Sequence, residues 1–166
     1  MSSEVDALIR HYGLQPHPEG GYFKETYRSE GSIPRSALPA EFKGDRSFST
    51  GILFLLSAGA VSRLHRIASD EVWHFLHGGP MTVVQLSPEG RVQLTRLGPN
   101  WRSGQAAQHV VPAGHWFGAH ADPGSEYSLV GCTVAPGFDF ADFELARRDE
   151  LLKAFPAARG VIEHLT

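Results

Sequence analysis

The sequence predicts an all-β fold, a sandwich or barrel of short strands, with a short helix before it and helical pieces after it. Three observations carry this. Eighteen glycines and eleven prolines are spread along the 166 residues and divide the chain into pieces of strand length. Many of those pieces alternate polar and apolar residues or are apolar throughout, about ten strands in all. Helical spacing occurs only near the two ends.

The elements follow in order. Val5, Leu8, Ile9 and Tyr12 fall on one stripe of a helix over residues 3–12. Ser2 or Ser3 caps it, Glu4 and Asp6 suit its positive end, and Gly13 suits its exit. Gln15 to Gly21 is a turn, and Tyr22–Arg28 a strand with Tyr22 and Lys24 on one face. Residues 29–46, rich in Ser, Pro, Gly and charge, read as a long loop at the mouth of a cavity. Phe48–Leu56 is apolar on both faces, as in a buried strand. Val61–Ile67 and Glu71–His77 alternate and form a hairpin about the turn Ala68–Asp70. Met81–Leu86 and Arg91–Leu97 form a second hairpin, closed by Ser87-Pro88-Glu89-Gly90. His109–Val111, His115–His120 and Tyr127–Val134 supply further strands. Phe138–Phe143 is strand-like or loop, and Arg147–Phe155 and Val161–Leu165 read as helices around Pro156.

The totals bound the function. The length predicts one domain over residues 1–166, long enough to bury a proper core. A formal net charge of −3 gives no general attraction to nucleic acid. No apolar run reaches the length of a membrane span, and the first residues carry acidic side chains and no signal-peptide core. Cys132 is the single cysteine, which fits a reducing cytoplasm and reads as a small buried hydrophobe.

The chemistry concentrates in Gly59–Gly78, which holds three of the nine histidines and an Asp-Glu pair. Strand alternation places Val61, Arg63, His65 and Ile67 on one face, and Glu71, Trp73, Phe75 and His77 on one face of the next strand. The hairpin thus brings His65 and Glu71 onto one inner surface, an arrangement suited to acid/base work or metal binding. The expectation is one cavity holding Arg63, His65, Glu71, Trp73 and Phe75.

Gly59, His65, Ile67, Glu71 and Gly78 keep the spacing of the first motif of the cupin superfamily, with Ile67 where the family has its second histidine. Pro112-Ala113-Gly114-His115-Trp116-Phe117 resembles the second motif, with Phe117 at the histidine position. The resemblance covers roughly Phe48 to Val134 and implies a double-stranded β-helix, the jelly-roll barrel, with its core at about 48–134. It leaves His65 and Glu71 as the surviving metal ligands, two where protein metal sites want at least three donors. No cofactor is therefore expected beyond a weakly held divalent metal. Pro18-Glu19-Gly20-Gly21-Tyr22-Phe23, His65-Arg66, Asp70-Glu71-Val72-Trp73 and Leu129–Phe138 are similar to a narrower group of small single-domain cupins. That resemblance implies a homodimer and no particular chemistry. The strands Tyr22–Arg28 and the apolar Phe48–Leu56 suggest an edge that a twofold copy would cover.

His65 is the expected general base, oriented by Glu71. Arg63 would grip a ligand anion through its planar fork. Trp73, Phe75 and Phe117 would form an aromatic wall, with His77 and His115 further along the same faces. His17, Glu19, Tyr22 and Lys24 are placed to cap the cavity, although for His17 the plainer reading is a turn entering an edge strand. Three functions fit. The first is a metal-independent epimerase or isomerase acting on a sugar, sugar nucleotide or small carbonyl compound, the chemistry of some cupins that lack metal ligands. The second is a ligand-binding module without turnover, and the third a metal-dependent enzyme with atypical ligands.

Overall fold

The computed structural model describes residues 3–166. Helix α1 (Glu4–Tyr12) opens the chain. Ser3 caps it in a capping box with Asp6, and Gly13 closes it in the left-handed region at φ 63°; Ser2 lies outside the described residues. Thirteen strands follow: β1 (Gln15–Pro16), β2 (Tyr22–Arg28), β3 (Ser32–Ile33), β4 (Arg46–Ser47), β5 (Thr50–Ser57), β6 (Val61–Arg66), β7 (Asp70–Gly78), β8 (Met81–Leu86), β9 (Val92–Leu97), β10 (Gln108–Val111), β11 (Trp116–Ala121), β12 (Tyr127–Ala135) and β13 (Glu144–Leu145). Helices α2 (Arg148–Ala154) and α3 (Arg159–His164) end the chain. Among the described residues, no helix is long and apolar enough to cross a membrane.

Two antiparallel sheets form a jelly roll. One has the order β1-β2-β5-β12-β7-β10, the other β13-β6-β11-β8-β9. Their inner faces share one core, in which Phe54, Leu56, Trp73, Val130 and Cys132 meet Met81, Val83, Leu97, Phe117 and Ala119. The outer faces are covered separately. Leu151, Ile162 and Leu165 from the C-terminal helices pack on Leu64, Val84, Leu86 and Trp116. Helix α1 lays Val5, Leu8, Ile9 and Tyr12 on Tyr22, Leu53, Leu55, Tyr127 and Leu129.

Two expectations are corrected. Strand β5 is not an edge, because it lies between β2 and β12. The open edge belongs to β2, which β1 covers only at Tyr22 and Phe23. The loop over residues 29–46 does not line the central cavity. It braces the wall instead, since Arg46 donates to both Asp142 oxygens at 2.6 Å in a buried pair.

Three bulges set which residues face inward. Phe117 pairs with His65 and Ala119 with Ser62, so β6 spends three steps where β11 spends two. On β7, Phe75 pairs with Val130 and His77 with the adjacent Leu129. On β2, Glu25 pairs with Ile52 and Tyr27 with Gly51, which returns Arg28 to the inner face.

Candidate functional site

A cavity of about 210 Å³ lies inside the barrel between β2, β5, β12, β7 and β6. Its wall is largely aromatic, from Phe23, Phe54, Trp73, Phe138, Phe140 and Phe143. His17, Glu19, His65, Glu71 and Cys132 supply most of its polar chemistry. Arg28 stands on its lining but is bound through Nε and Nη2 to Glu25 and through Nη2 to the Phe138 carbonyl.

His65 sits on β6 with its ring 4.1 Å from Phe117 and stacked on Phe143. Its Nδ1 lies 2.7 Å from the Arg63 carbonyl, which can only accept, so Nδ1 carries a proton. Its Nε2 lies 3.0 Å from Glu19 Oε2. Ser62 donates to the other oxygen, Glu19 Oε1, at 2.6 Å. Burial opposes both charges. For His65, the Glu19 carboxylate and its hydrogen bond outweigh burial and raise the imidazole's pKa. For Glu19, the His65 charge and hydrogen bonds from His65 and Ser62 outweigh burial and lower the carboxyl's. The result is an imidazolium with both nitrogens donating, locked to a carboxylate.

The turn before β2 delivers Glu19. His17 N–H donates to the Gly21 carbonyl at 3.0 Å, and Gly20 N–H to the His17 carbonyl at 3.0 Å. Gly20 has φ 112°, and a Cβ there would lie 2.2 Å from the Val61 carbonyl oxygen, so no other residue fits. The Glu19 carbonyl then accepts from Arg63 N–H at 2.8 Å, on the β6 bulge.

Glu71 is 8% exposed, and burial pushes its carboxyl up to about 7. The His65 charge pulls down and the Glu19 charge pushes up, while the Cys132 thiol donates to the carboxylate. The same burial and carboxylate raise the Cys132 thiol well above its ordinary range, so it stays protonated. Glu71 is thus poised to exchange a proton near neutrality.

His17 lies beside the pair. Its Nδ1 accepts from Glu19 N–H at 3.2 Å and is 3.5 Å from Glu19 Oε2. Its ring stacks on Phe140 and meets Phe23, Phe54 and Phe143 edge-on. Burial depresses its pKa against the pull of Glu19, and the charge on His65 depresses it further. Trp73 Nε1 is buried without a hydrogen-bond partner among the described residues.

Of the residues expected at the site, the structure brings together His65, Glu71 and Trp73, and packs Phe117 and Phe75 against them in the core. Arg63 is excluded. The β6 bulge gives its inward position to Ser62, and its guanidinium reaches out to the Pro18 carbonyl at 2.6 Å. His77 is moved by the β7 bulge and pairs with Tyr127 Oη at 2.7 Å, away from the cavity. His115 precedes β11 and meets Gln85 on the far side of Phe117, with Nδ1 2.8 Å from the amide nitrogen. Tyr22 and Lys24 face outward, Tyr22 under α1 and Lys24 beside Gly13. Their neighbours Phe23 and Glu25 hold the inward positions. His17 and Glu19, placed only as a cap, are central. The signal for them is the Pro18-Glu19-Gly20-Gly21 turn, in which two glycines follow a carboxylate.

The donor set does not fit a metal ion. Ile67 and Phe117 stand at the two substituted motif positions, and neither can coordinate. Both nitrogens of His65 are engaged by protein oxygens. Among the described residues, no group of three or more His, Cys, Asp or Glu is arranged to hold a metal.

Comparison with known proteins places this geometry. A family model described as cupin superfamily (DUF985) matches residues 6–146. The chain is 31% identical over 160 residues to the uncharacterized protein YML079W of Saccharomyces cerevisiae, covering 91% of this chain and 79% of that one. The crystal structure of protein SO0799 from Shewanella oneidensis superposes with TM-score 0.88 at 37% identity, covering 100% of this chain and 98% of the other. A hypothetical protein from Leishmania major gives TM-score 0.88 at 30% identity, over 99% of both chains. Oxalate decarboxylase of Bacillus subtilis shares the fold alone, with TM-score 0.56 at 16% identity over 92% of this chain and 37% of that one. Jelly roll, motif spacing and relatives agree, and the chain belongs to the cupin superfamily, in the family DUF985.

Proposed function

We propose that this protein is a metal-independent acid/base enzyme, an isomerase or epimerase that moves a proton on a small organic molecule held in the barrel. The single observation that carries the proposal is Glu71. Buried at the cavity wall with a carboxyl pKa of about 7, it is available near neutrality both as a base and as an acid. His65, expected as the base, has no free lone pair. Its role is to hold Glu19 and to set the field around Glu71. A reducing cytoplasm would keep Cys132 as the thiol that donates to Glu71.

The lining also selects among ligands. Its cationic groups, His65 and Arg28, are already paired, while Glu19, Glu25, Glu71 and Asp139 face the same space. A sugar nucleotide would bring a diphosphate to a wall with no free cation. A compact ligand without charge suits it better, and the aromatic wall suits a flat or partly apolar one.

The test is hydrogen exchange in D2O on a panel of sugars, sugar nucleotides, and small carbonyl and carboxylate compounds, read by NMR. The expected result is enzyme-dependent deuterium uptake at one carbon, lowered at least about a hundredfold in Glu71→Gln. Binding with no uptake across the panel would make the pocket a binding module instead.

We also propose a homodimer built on the outer face of the six-stranded sheet beyond α1, where Tyr27, Leu76 and Val110 are about half exposed. Light scattering at a mass near one 18.1 kDa chain, independent of concentration, would exclude it.

A further inference from the structure

We infer that the cavity takes a neutral carbonyl compound bound through its oxygen to His17 Nε2–H, with the acidic carbon facing Glu71. This rests on the acid/base role given to Glu71 and names the substrate class of that site. The His17 ring supplies the donor. Nδ1 accepts the Glu19 backbone N–H, so a neutral ring carries its proton on Nε2. The side chain is 7% exposed, it lines the cavity, and Nε2 has no hydrogen-bond partner among the described residues. Four aromatic rings and the Glu19 backbone fix its plane. A positioned donor with no protein acceptor is left for a ligand atom.

The chemistry of that atom follows from its neighbours. A ring next to the His65 imidazolium and shielded from water remains neutral. A neutral imidazole N–H adds no charge to the resting site, yet it strengthens its hydrogen bond as an oxygen gains negative charge. That behaviour matches a ketone or aldehyde oxygen becoming an enolate oxygen. A carboxylate ligand would instead meet Glu19 and Glu71 at close range. The flat body of an enolate fits between the phenylalanine rings that flank His17.

The step balances with no further reactant. The Glu71 carboxylate removes a proton from the carbon beside the carbonyl. The C–H electron pair becomes a carbon–carbon π bond, and the carbonyl π pair moves onto the oxygen held by His17. The Glu71 acid then returns the proton, to the same carbon or to another carbon of a conjugated system, and the carbonyl re-forms.

Substituted phenols from phenol to 4-nitrophenol, planar mimics of an enolate, serve as probes. Protein labelled with 15N-histidine should show His17 as the neutral Nε2–H tautomer, with that proton moving downfield as each phenol binds. His17→Phe should lose about tenfold in phenol affinity, whereas His17→Gln, which places an amide N–H near the same point, should retain most of it. Circular dichroism in the near ultraviolet checks that both variants are folded. An Nδ1–H tautomer, equal affinity in His17→Phe, or no phenol binding overturns the inference. Carboxyl 13C titration of Glu71 in the same samples separates this from the reading beneath it. Titration near 7 without phenol binding discards the carbonyl assignment and keeps the acid/base role, while titration below about 5 discards both.

Discussion

The barrel interior holds two polar clusters built from the same kinds of residue, and they behave oppositely. On one side Glu19, His65 and Glu71 are ionisable groups set against one another. On the other, Gln85 joins His115 Nδ1 through its amide nitrogen at 2.8 Å and His109 Nε2 through its oxygen at 3.2 Å. Burial alone depresses the His109 pKa, and no carboxylate among the described residues joins the two imidazoles through this amide. Phe117 on β11 stands between β6 and β8, and Trp73 on β7 between β12 and β10; the two rings meet edge-on at 6.2 Å. One amide can satisfy two imidazoles and leave nothing to react. Two carboxylates around one imidazole leave a proton undecided, and that difference marks the reactive side.

Removing the partition should have the largest effect. Phe117→Ala deletes a fully buried ring touching both sides and should cost about 3–5 kcal/mol in urea unfolding. Loss below about 1 kcal/mol would mean that the clusters are not separated by packing. Next comes the charge pair. Glu19→Gln strips the buried partner of His65 and should cost about 3 kcal/mol, with the His65 pKa falling below its usual value in NMR titration. Gln85→Leu, the matching cut on the amide side, should cost about 1–2 kcal/mol.

Glu71→Gln should act in the other direction. Its native pKa lies above the unfolded one, so the native state binds more protons and stability falls as pH rises between about 4.5 and 7. The glutamine variant escapes this loss. It should nearly match the parent at pH 4 and exceed it by about 3 kcal/mol at pH 8. A difference that is flat with pH would refute the raised carboxyl. The smallest effect is expected from chelation, which should leave the thermal midpoint unchanged within about 1 °C and remove no stoichiometric metal.

The architecture and half the site were legible in the sequence for one physical reason. Strand alternation and Gly/Pro turns are local signals, and the spacing from Gly59 to Gly78 placed His65 and Glu71 on facing strands. Arg63 and His77 were misplaced because a bulge inserts a residue into the count without a local mark in composition. Tyr22 and Lys24 failed on a choice of face that α1 decides, a contact distant from neither end of the strand yet absent from its own pattern. Glu19 was underrated because a carboxylate in a turn usually meets water, and only the fold shows this turn pressed onto β6.

The β6 bulge has a consequence for how the molecule communicates along its length. Bulging frees successive backbone groups, and distant segments claim them: Arg63 N–H is held by the Glu19 carbonyl, and Leu64 N–H by the Leu165 carbonyl, each at 2.8 Å. The last helical segment is therefore clasped one residue from His65, although it contributes nothing to the cavity. Removing Thr166 or attaching a tag to it should loosen this clasp first, and slow amide exchange at Arg63 and Leu64 would report on both segments together.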